Sequence, residues 1–225
     1  MSGMTQLIIF GTIIVCVLAG SAWLKRNRQR KFLSAAAAFG FVPAAEDDGN
    51  IPVAGDSPLF EHHGNFAVVA KGNWNGLECC LFDYTYSRGH SRNGVSITQT
   101  VASFMKPGIN VPIFQVRPRH FNFSDRLANF ISREGVEMKD APEFSRRFVV
   151  HLAIPDVAQQ LFTAEVRSFF EQLPEWNLTL EGCGEAIMVY EPGKTVNIDK
   201  LETFLQCSGD IVERLRAVIP ATVRS

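Results

Sequence analysis

From Leu7 to Leu24 the chain reads LIIFGTIIVCVLAGSAWL, an apolar run without a single Asp, Glu, Lys or Arg. Its length is close to the roughly 20 residues that a helix needs to cross the hydrocarbon core of a bilayer. Lys25, Arg26, Arg28, Arg30 and Lys31 follow it at once. A helix buried in a soluble core would not account for those cations. A secretory signal peptide would carry Lys or Arg ahead of a shorter apolar stretch, and Met1 to Gln6 contains neither. No lipobox cysteine is present, since Gly20 and Ser21 follow Ala19. The sequence therefore predicts one transmembrane anchor in residues 1–24, with the lipid bilayer as partner of Leu7 to Leu24. Basic flanks stay in the cytoplasm. The expected location is the inner membrane, single-pass, with the N-terminus outside and the C-terminal domain in the cytoplasm. Trp23 suits the interface, where an amphipathic ring is favoured.

The remainder of the 225-residue chain is long enough for one domain with its own core. A formal net charge of -1 supplies no basic field of the kind that non-specific nucleic-acid binding needs, so no nucleic-acid partner is expected. Cys16, Cys79, Cys80, Cys183 and Cys207 form no disulfide framework, and one of them lies in the apolar run. Reduced thiols in a cytosolic domain fit this pattern.

Residues 25–43 read as a basic juxtamembrane helix, with alanine-rich Phe32 to Phe39 stopped by Gly40 and Pro43. Residues 44–225 read as a cytoplasmic α+β domain. In it, Phe66 to Lys71 and Leu77 to Tyr86 should pair as a hairpin across the NWNG turn. Alternation in the second strand places Cys80, Phe82, Tyr84 and Tyr86 on one face, and Leu77, Cys79, Leu81 and Asp83 on the other. Both faces are apolar near the middle, as in a central strand. Val95 to Met105 returns after a polar tip, and Val111 to Arg117 should complete an antiparallel meander, with Pro112 at its start or on an edge. Asp125 to Ser132 is a short helical candidate. Phe148 to Ile154 is a strand, followed from Pro155 to Pro174 by a helical pattern with a cap signal at Thr163. Trp176 to Gly182 and Glu185 to Tyr190 form a last hairpin turning around Gly182 and Gly184. Asn197 caps a final amphipathic helix with a stripe from Ile198 through Phe204 and Leu215 to Val218. Gly209 inside that helix marks a kink or a close contact.

This order of motifs resembles a widespread bacterial family of single-pass membrane-anchored proteins whose domain has no assigned function. The matching features are the helix ending in Gly40-Phe41, the Gly72 to Gly76 turn leading into Phe82-Asp83-Tyr84-Thr85-Tyr86, and Gln99-Thr100-Val101 on the returning strand. Phe144 to Phe148 (FSRRF), opening the next strand, and the closing hairpin and helix continue the match. The resemblance implies a membrane anchor with an α+β cytoplasmic domain, and no catalytic residue.

Chemistry-bearing patterns are sparse. Adjacent His62-His63 and Cys79-Cys80 project to opposite faces of an extended chain, so neither makes a good ligand or redox pair. HExxH, CxxC, GxSxG and P-loop patterns do not occur. No metal and no cofactor is expected. His151 between Val150 and Leu152 reads as a structural histidine, and Glu181 and Glu185 as solvated flanks of a turn. Asp83 stands out, because a carboxylate in an apolar strand needs a partner; Arg117 and Arg147 are the cations expected to reach it across the sheet. The second candidate is the tip from Ser87 to Gly94, where Arg88, His90 and Arg92 could grip a carboxylate or a lipid phosphate. Thr12, Cys16 and Gly20 recur every fourth residue, a stripe that permits a homodimer through the anchor.

The sequence thus points to a membrane-tethered cytoplasmic binding or scaffold protein with a protein partner and no identifiable catalytic motif. The alternative is an enzyme or small-ligand receptor with a site between sheet and helices that includes Asp83. A concave pocket with convergent ionisable groups would favour the alternative, and a filled core the first reading.

Overall fold

The computed structural model describes residues 3–45, 57–60, 64–88, 94–105, 109–119, 135–173 and 177–219. His62, His63, His90, Arg92, the side chain of Arg88 and the helical candidate Asp125 to Ser132 lie outside what is described.

A single helix, α1 (Gly3–Ala38), runs without interruption from the apolar segment through the basic cluster into the domain. It ends as a Schellman motif. The Phe41 N–H donates to the Ala36 carbonyl and the Gly40 N–H to the Ala37 carbonyl, at 3.1 and 3.0 Å. This geometry needs a left-handed residue, and Gly40 has φ +82. Among the described residues no helix is long and apolar enough to cross a membrane. The side chains of Leu7, Ile8, Ile9, Ile14 and Leu18 are not among those described.

Beyond α1 lies an eight-stranded antiparallel sheet: β1 (Val42–Ala44), β2 (Gly64–Trp74), β3 (Leu77–Arg88), β4 (Val95–Met105), β5 (Val111–Pro118), β6 (Phe148–Leu152), β7 (Thr179–Gly184) and β8 (Ala186–Tyr190). Their spatial order is β1-β2-β3-β4-β8-β7-β5-β6. The β2–β3 hairpin closes at Asn75-Gly76, where both residues have positive φ, 51 and 78, as a two-residue type I′ turn demands. The expected alternation of β3 holds. Leu77, Cys79 and Leu81 enter one core cluster, while Cys80, Phe82, Tyr84 and Tyr86 enter another.

The four-strand meander does not form. β4 pairs with β8, and β5 pairs with β7 and β6, so the β7–β8 hairpin is inserted between β4 and β5. Pro112 falls within a register shift between Val111 and Phe114, where a missing N–H interrupts no regular ladder. Two local expectations also change. FSRRF does not open a strand, because α2 (Pro142–Arg147) occupies it and β6 begins only at Phe148. Gly182 is not a turn residue but lies inside β7, opposite Phe114.

One face of the sheet is covered by helices. Phe32 and Ala36 of α1, Phe144 of α2, Leu161 of α3 (Ala158–Leu161), Phe170 of α4 (Ala164–Gln172) and the stripe of α5 (Leu201–Val218) all reach this core. The Thr163 hydroxyl accepts from the Val166 N–H and caps α4, so the helical break falls where the sequence placed it. Phe204, Leu205, Ile211, Val212 and Leu215 of α5 are buried. Gly209 marks a close contact, since a Cβ there would stand 2.7 Å from Nε1 of Trp74. The opposite face carries Phe66, Phe82, Tyr84, Tyr86 and Tyr190 under a short helical turn, Pro58–Phe60. Phe60 packs edge-on to Tyr84 with ring centroids 5.1 Å apart.

Candidate functional site

The helical face of α1 that meets the sheet recurs at Arg28, Phe32 and Ala36, one turn apart, as the i, i+4 spacing requires. Phe32 and Ala36 are fully buried. Arg28 turns inward with them. Its Nε donates to Oδ2 of Asp83 at 2.9 Å, and Nη2 donates to Oδ1 at 3.1 Å. Nη2 also donates to Oγ1 of Thr100 at 3.2 Å, and Nη1 to the Val196 carbonyl at 3.1 Å. The Thr100 hydroxyl in turn donates to Oδ1 of Asp83 at 2.6 Å and accepts from the Val196 N–H at 2.9 Å. Hydroxyl and carboxylate use their bonding capacity on α1, β3, β4 and the segment leading to α5. Asp83 is 3 % exposed.

Arg28, not Arg117 or Arg147, is therefore the partner of Asp83. Three strands lie between β3 and β5, which puts Arg117 about 19 Å away at the usual strand spacing of about 4.8 Å. Arg117 instead approaches Nε2 of His151 at 3.4 Å. Arg147 donates to the carbonyls of Glu171 and Leu173. His151 is buried in β6, as a structural histidine should be.

Beside the clamp, α1 and the sheet leave a cleft of about 330 Å³. Lys25, Arg28 and Gln29 form its helical wall, and its other wall comes from β2, β3, β4 and Thr195. Thr85 and Thr98 face each other across β3 and β4 with their hydroxyls 2.9 Å apart. On the other side of β3, β2 bulges. Val68 has φ 56, in the left-handed region that a β-branched residue rarely occupies. The register shifts between Ala67 and Val69. The bulge leaves both Ala67 and Val68 lining the cleft, while Val69 returns to the aromatic face.

A second buried polar cluster centres on Glu181, which is wholly buried rather than solvated. Its carboxylate accepts from the Ser57 hydroxyl, the Leu59 N–H at 2.9 Å, Nε2 of Gln115 at 2.8 Å and the Tyr190 hydroxyl at 2.5 Å. Burial pushes the Tyr190 phenol well above its usual range, and the adjoining Glu181 carboxylate adds to the shift. The phenol thus stays protonated and donates. This cluster fastens the Ser57–Phe60 segment over the aromatic face. Glu185, by contrast, is exposed.

Of the sequence-predicted site residues, Asp83 is at the cleft, and Arg88 ends β3. The residues the sequence did not single out are Arg28, Thr85, Thr98, Thr100 and Glu181. Arg28 had one detectable signal, its spacing from Phe32 and Ala36. Among the described residues no group of His, Cys, Asp and Glu is arranged to hold a metal ion.

No family model matches the chain, and no curated protein sequence matches it. Among solved structures it is similar to the crystal structure of the mycobacterial trehalose monomycolate transport factor A, TtfA. The TM-score is 0.60 at 15% identity, over 87% of this chain and 98% of that one. The likeness is one of fold: an α+β domain with an antiparallel sheet and a C-terminal helix.

Proposed function

We propose that this protein is a membrane-tethered, non-catalytic binding protein, with the earlier half of α1 inserted in the bilayer and the α+β domain held at the inner face. The observation that carries this reading is the division of α1 into two halves. Its later half is fastened to the sheet by Arg28, Phe32 and Ala36. Its earlier half presents Phe10, Ile13, Val15, Val17, Trp23 and Leu24 to the surroundings, each more than half exposed. At about 100° per residue these positions spread over roughly 220° of the helix circumference, and an exposed apolar face that wide needs an apolar environment. Each Å² of such surface left in water costs roughly 25 cal/mol. The uninterrupted run Leu7 to Leu24 supplies the length.

Binding is favoured over catalysis by what the cleft contains. It has convergent ionisable groups, which favours the alternative reading, in its small-ligand-receptor form, over a filled scaffold. Yet Arg28 and Asp83 are committed to each other, and the remaining groups are hydroxyls, an amide and one ammonium. That set can hold a ligand but pairs no nucleophile with a base. A transport-associated role is in keeping with a fold neighbour that is named a transport factor.

Alkaline carbonate extraction of membranes from cells expressing the full chain tests the tether. The wild type should stay in the pellet, and Val15→Asp with Val17→Asp should move it to the supernatant, since each central Asp costs about 2.5 to 3.5 kcal/mol. Release of the wild type by carbonate would overturn the reading.

A further inference from the structure

We propose that the cleft between α1 and the sheet binds the phosphate-bearing headgroup of an anionic membrane lipid. The inference rests on the tether reading above and adds a ligand class to it. Size is the first argument. At about 330 Å³ the cleft stands at the small end of the roughly 300 to 1,000 Å³ range of ligand sites, enough for a headgroup and not for its acyl chains.

Charge is the second. Arg28 and Asp83 cancel each other, so the ammonium of Lys25 gives the cleft a net positive charge. An ammonium is a compact point charge that suits a phosphate. Hydrogen bonding is the third. In the Thr85–Thr98 pair one hydroxyl donates to the other, and the acceptor's own proton is left to donate to a ligand oxygen. Thr195, exposed at the rim, adds a third hydroxyl, and Gln29 an amide. Hydroxyls and amide together match a phosphate ester that carries hydroxyl groups of its own.

The bulge is the fourth argument. Holding Val68 at φ 56 costs about 1 to 3 kcal/mol, and such strain gathers where a site requires it. Here it sets a small residue, Ala67, beside Val68 in the lining of the cleft. Position completes the case. Lys25 directly follows Leu24, the last residue of the apolar run, so with α1 in the bilayer the mouth of the cleft stands at the headgroup layer.

The test uses the full chain reconstituted in vesicles containing equal amounts of phosphatidylglycerol and phosphatidylcholine, then released for native mass spectrometry. The wild type should retain phosphatidylglycerol at least about tenfold over phosphatidylcholine, equivalent to about 1.4 kcal/mol. Lys25→Gln, an exposed change that spares folding, and Thr98→Val, which keeps the shape of the strand, should each abolish most of that preference. Arg30→Gln, an exposed cation away from the cleft, should keep it. Equal retention of the two lipids would overturn the proposal, as would a Lys25→Gln protein that behaves as wild type. Loss of preference in Arg30→Gln as large as in Lys25→Gln would also overturn it, by reducing the effect to surface charge. Glycerol 1-phosphate distinguishes the source of the phosphate: if it binds the chain in neutral detergent as tightly as the vesicles do, the ligand is soluble and the lipid assignment falls. A chain that resists carbonate extraction but shows no lipid preference sinks the cleft and leaves the tether standing.

Discussion

Asp83 lies in a strand of aromatic and aliphatic residues, where a carboxylate must find a cation or several donors. The need was legible in the sequence, but the identity of the partner was not. Arg28 is 55 residues away and belongs to a basic cluster that the expected membrane anchor had already accounted for. Only its helical spacing from Phe32 and Ala36 separates it from Arg26 and Arg30, which are exposed. Glu181 was misread for a related reason. Beside a glycine turn it looks solvated, and its burial depends on the Ser57–Phe60 segment crossing the far face of the sheet, which no local pattern announces. The clamp makes a sharp prediction. Arg28→Ala leaves the Asp83 carboxylate with Thr100 alone and should destabilise the detergent-solubilised chain by about 3 kcal/mol in urea unfolding, the range for breaking a buried pair. Arg28→Met combined with Asp83→Leu should recover more than half of that loss, because the penalty lies in the orphaned charge. A loss below about 0.5 kcal/mol in the single variant, the size of an ordinary surface change, would mean that the ion pair does not hold α1 to the sheet.

Most elements defined by local signals were read correctly, FSRRF and Gly182 being the exceptions, whereas the strand order set by long-range pairing was not. The Asn75-Gly76 hairpin, the Gly40 stop, the Thr163 cap and the α5 stripe each depend on neighbours within a few residues. The place of β5 depends on a hairpin some seventy residues later taking the position beside β4, and loop-closure and pairing energies of that kind leave no mark on either segment. Gly182 illustrates the difference. In sequence it resembles a turn glycine, whereas in β7 it leaves room for a ring from the neighbouring strand. A Cβ at Gly182 would overlap the Phe114 ring and stand 2.7 Å from Cγ1 of Val111. Phe114 is fully buried and edge-on to Phe162, so it has little freedom to retreat. Gly182→Ala should therefore cost about 1 to 3 kcal/mol through overpacking, despite the gain of about 0.4 to 1 kcal/mol from a stiffer unfolded chain. A neutral or stabilising result in thermal unfolding would show that β5 and β7 are packed more loosely than this.

At the scale of the whole molecule, the continuity of α1 would tie the direction of the domain to that of the proposed anchor. A flexible linker would leave the domain free to turn relative to the proposed anchor, but Arg28 and Phe32 fasten it to α1 about one and two turns after Leu24. The orientation signal survives the loss of Arg28 to Asp83, since Lys25, Arg26, Arg30 and Lys31 remain exposed while Met1 to Gln6 carries no Lys or Arg. In the proposed topology, charge asymmetry of that sign would keep the basic side in the cytoplasm. The thiols of the domain permit a clean test in a Cys16→Ser background, since Cys16 is exposed on α1. Cys79, Cys80 and Cys183 are buried, and burial together with Asp210 pushes the Cys207 thiol up to about 11. A thiol whose pKa is raised stays protonated and unreactive near neutral pH, so the background from the domain is low. In spheroplasts with a sealed inner membrane, a membrane-impermeant maleimide at neutral pH should label Ser2→Cys and should reach Glu202→Cys, on the exposed face of α5, only after lysis. Labelling of Glu202→Cys in sealed spheroplasts would place the domain outside, and with it the cleft at the opposite leaflet.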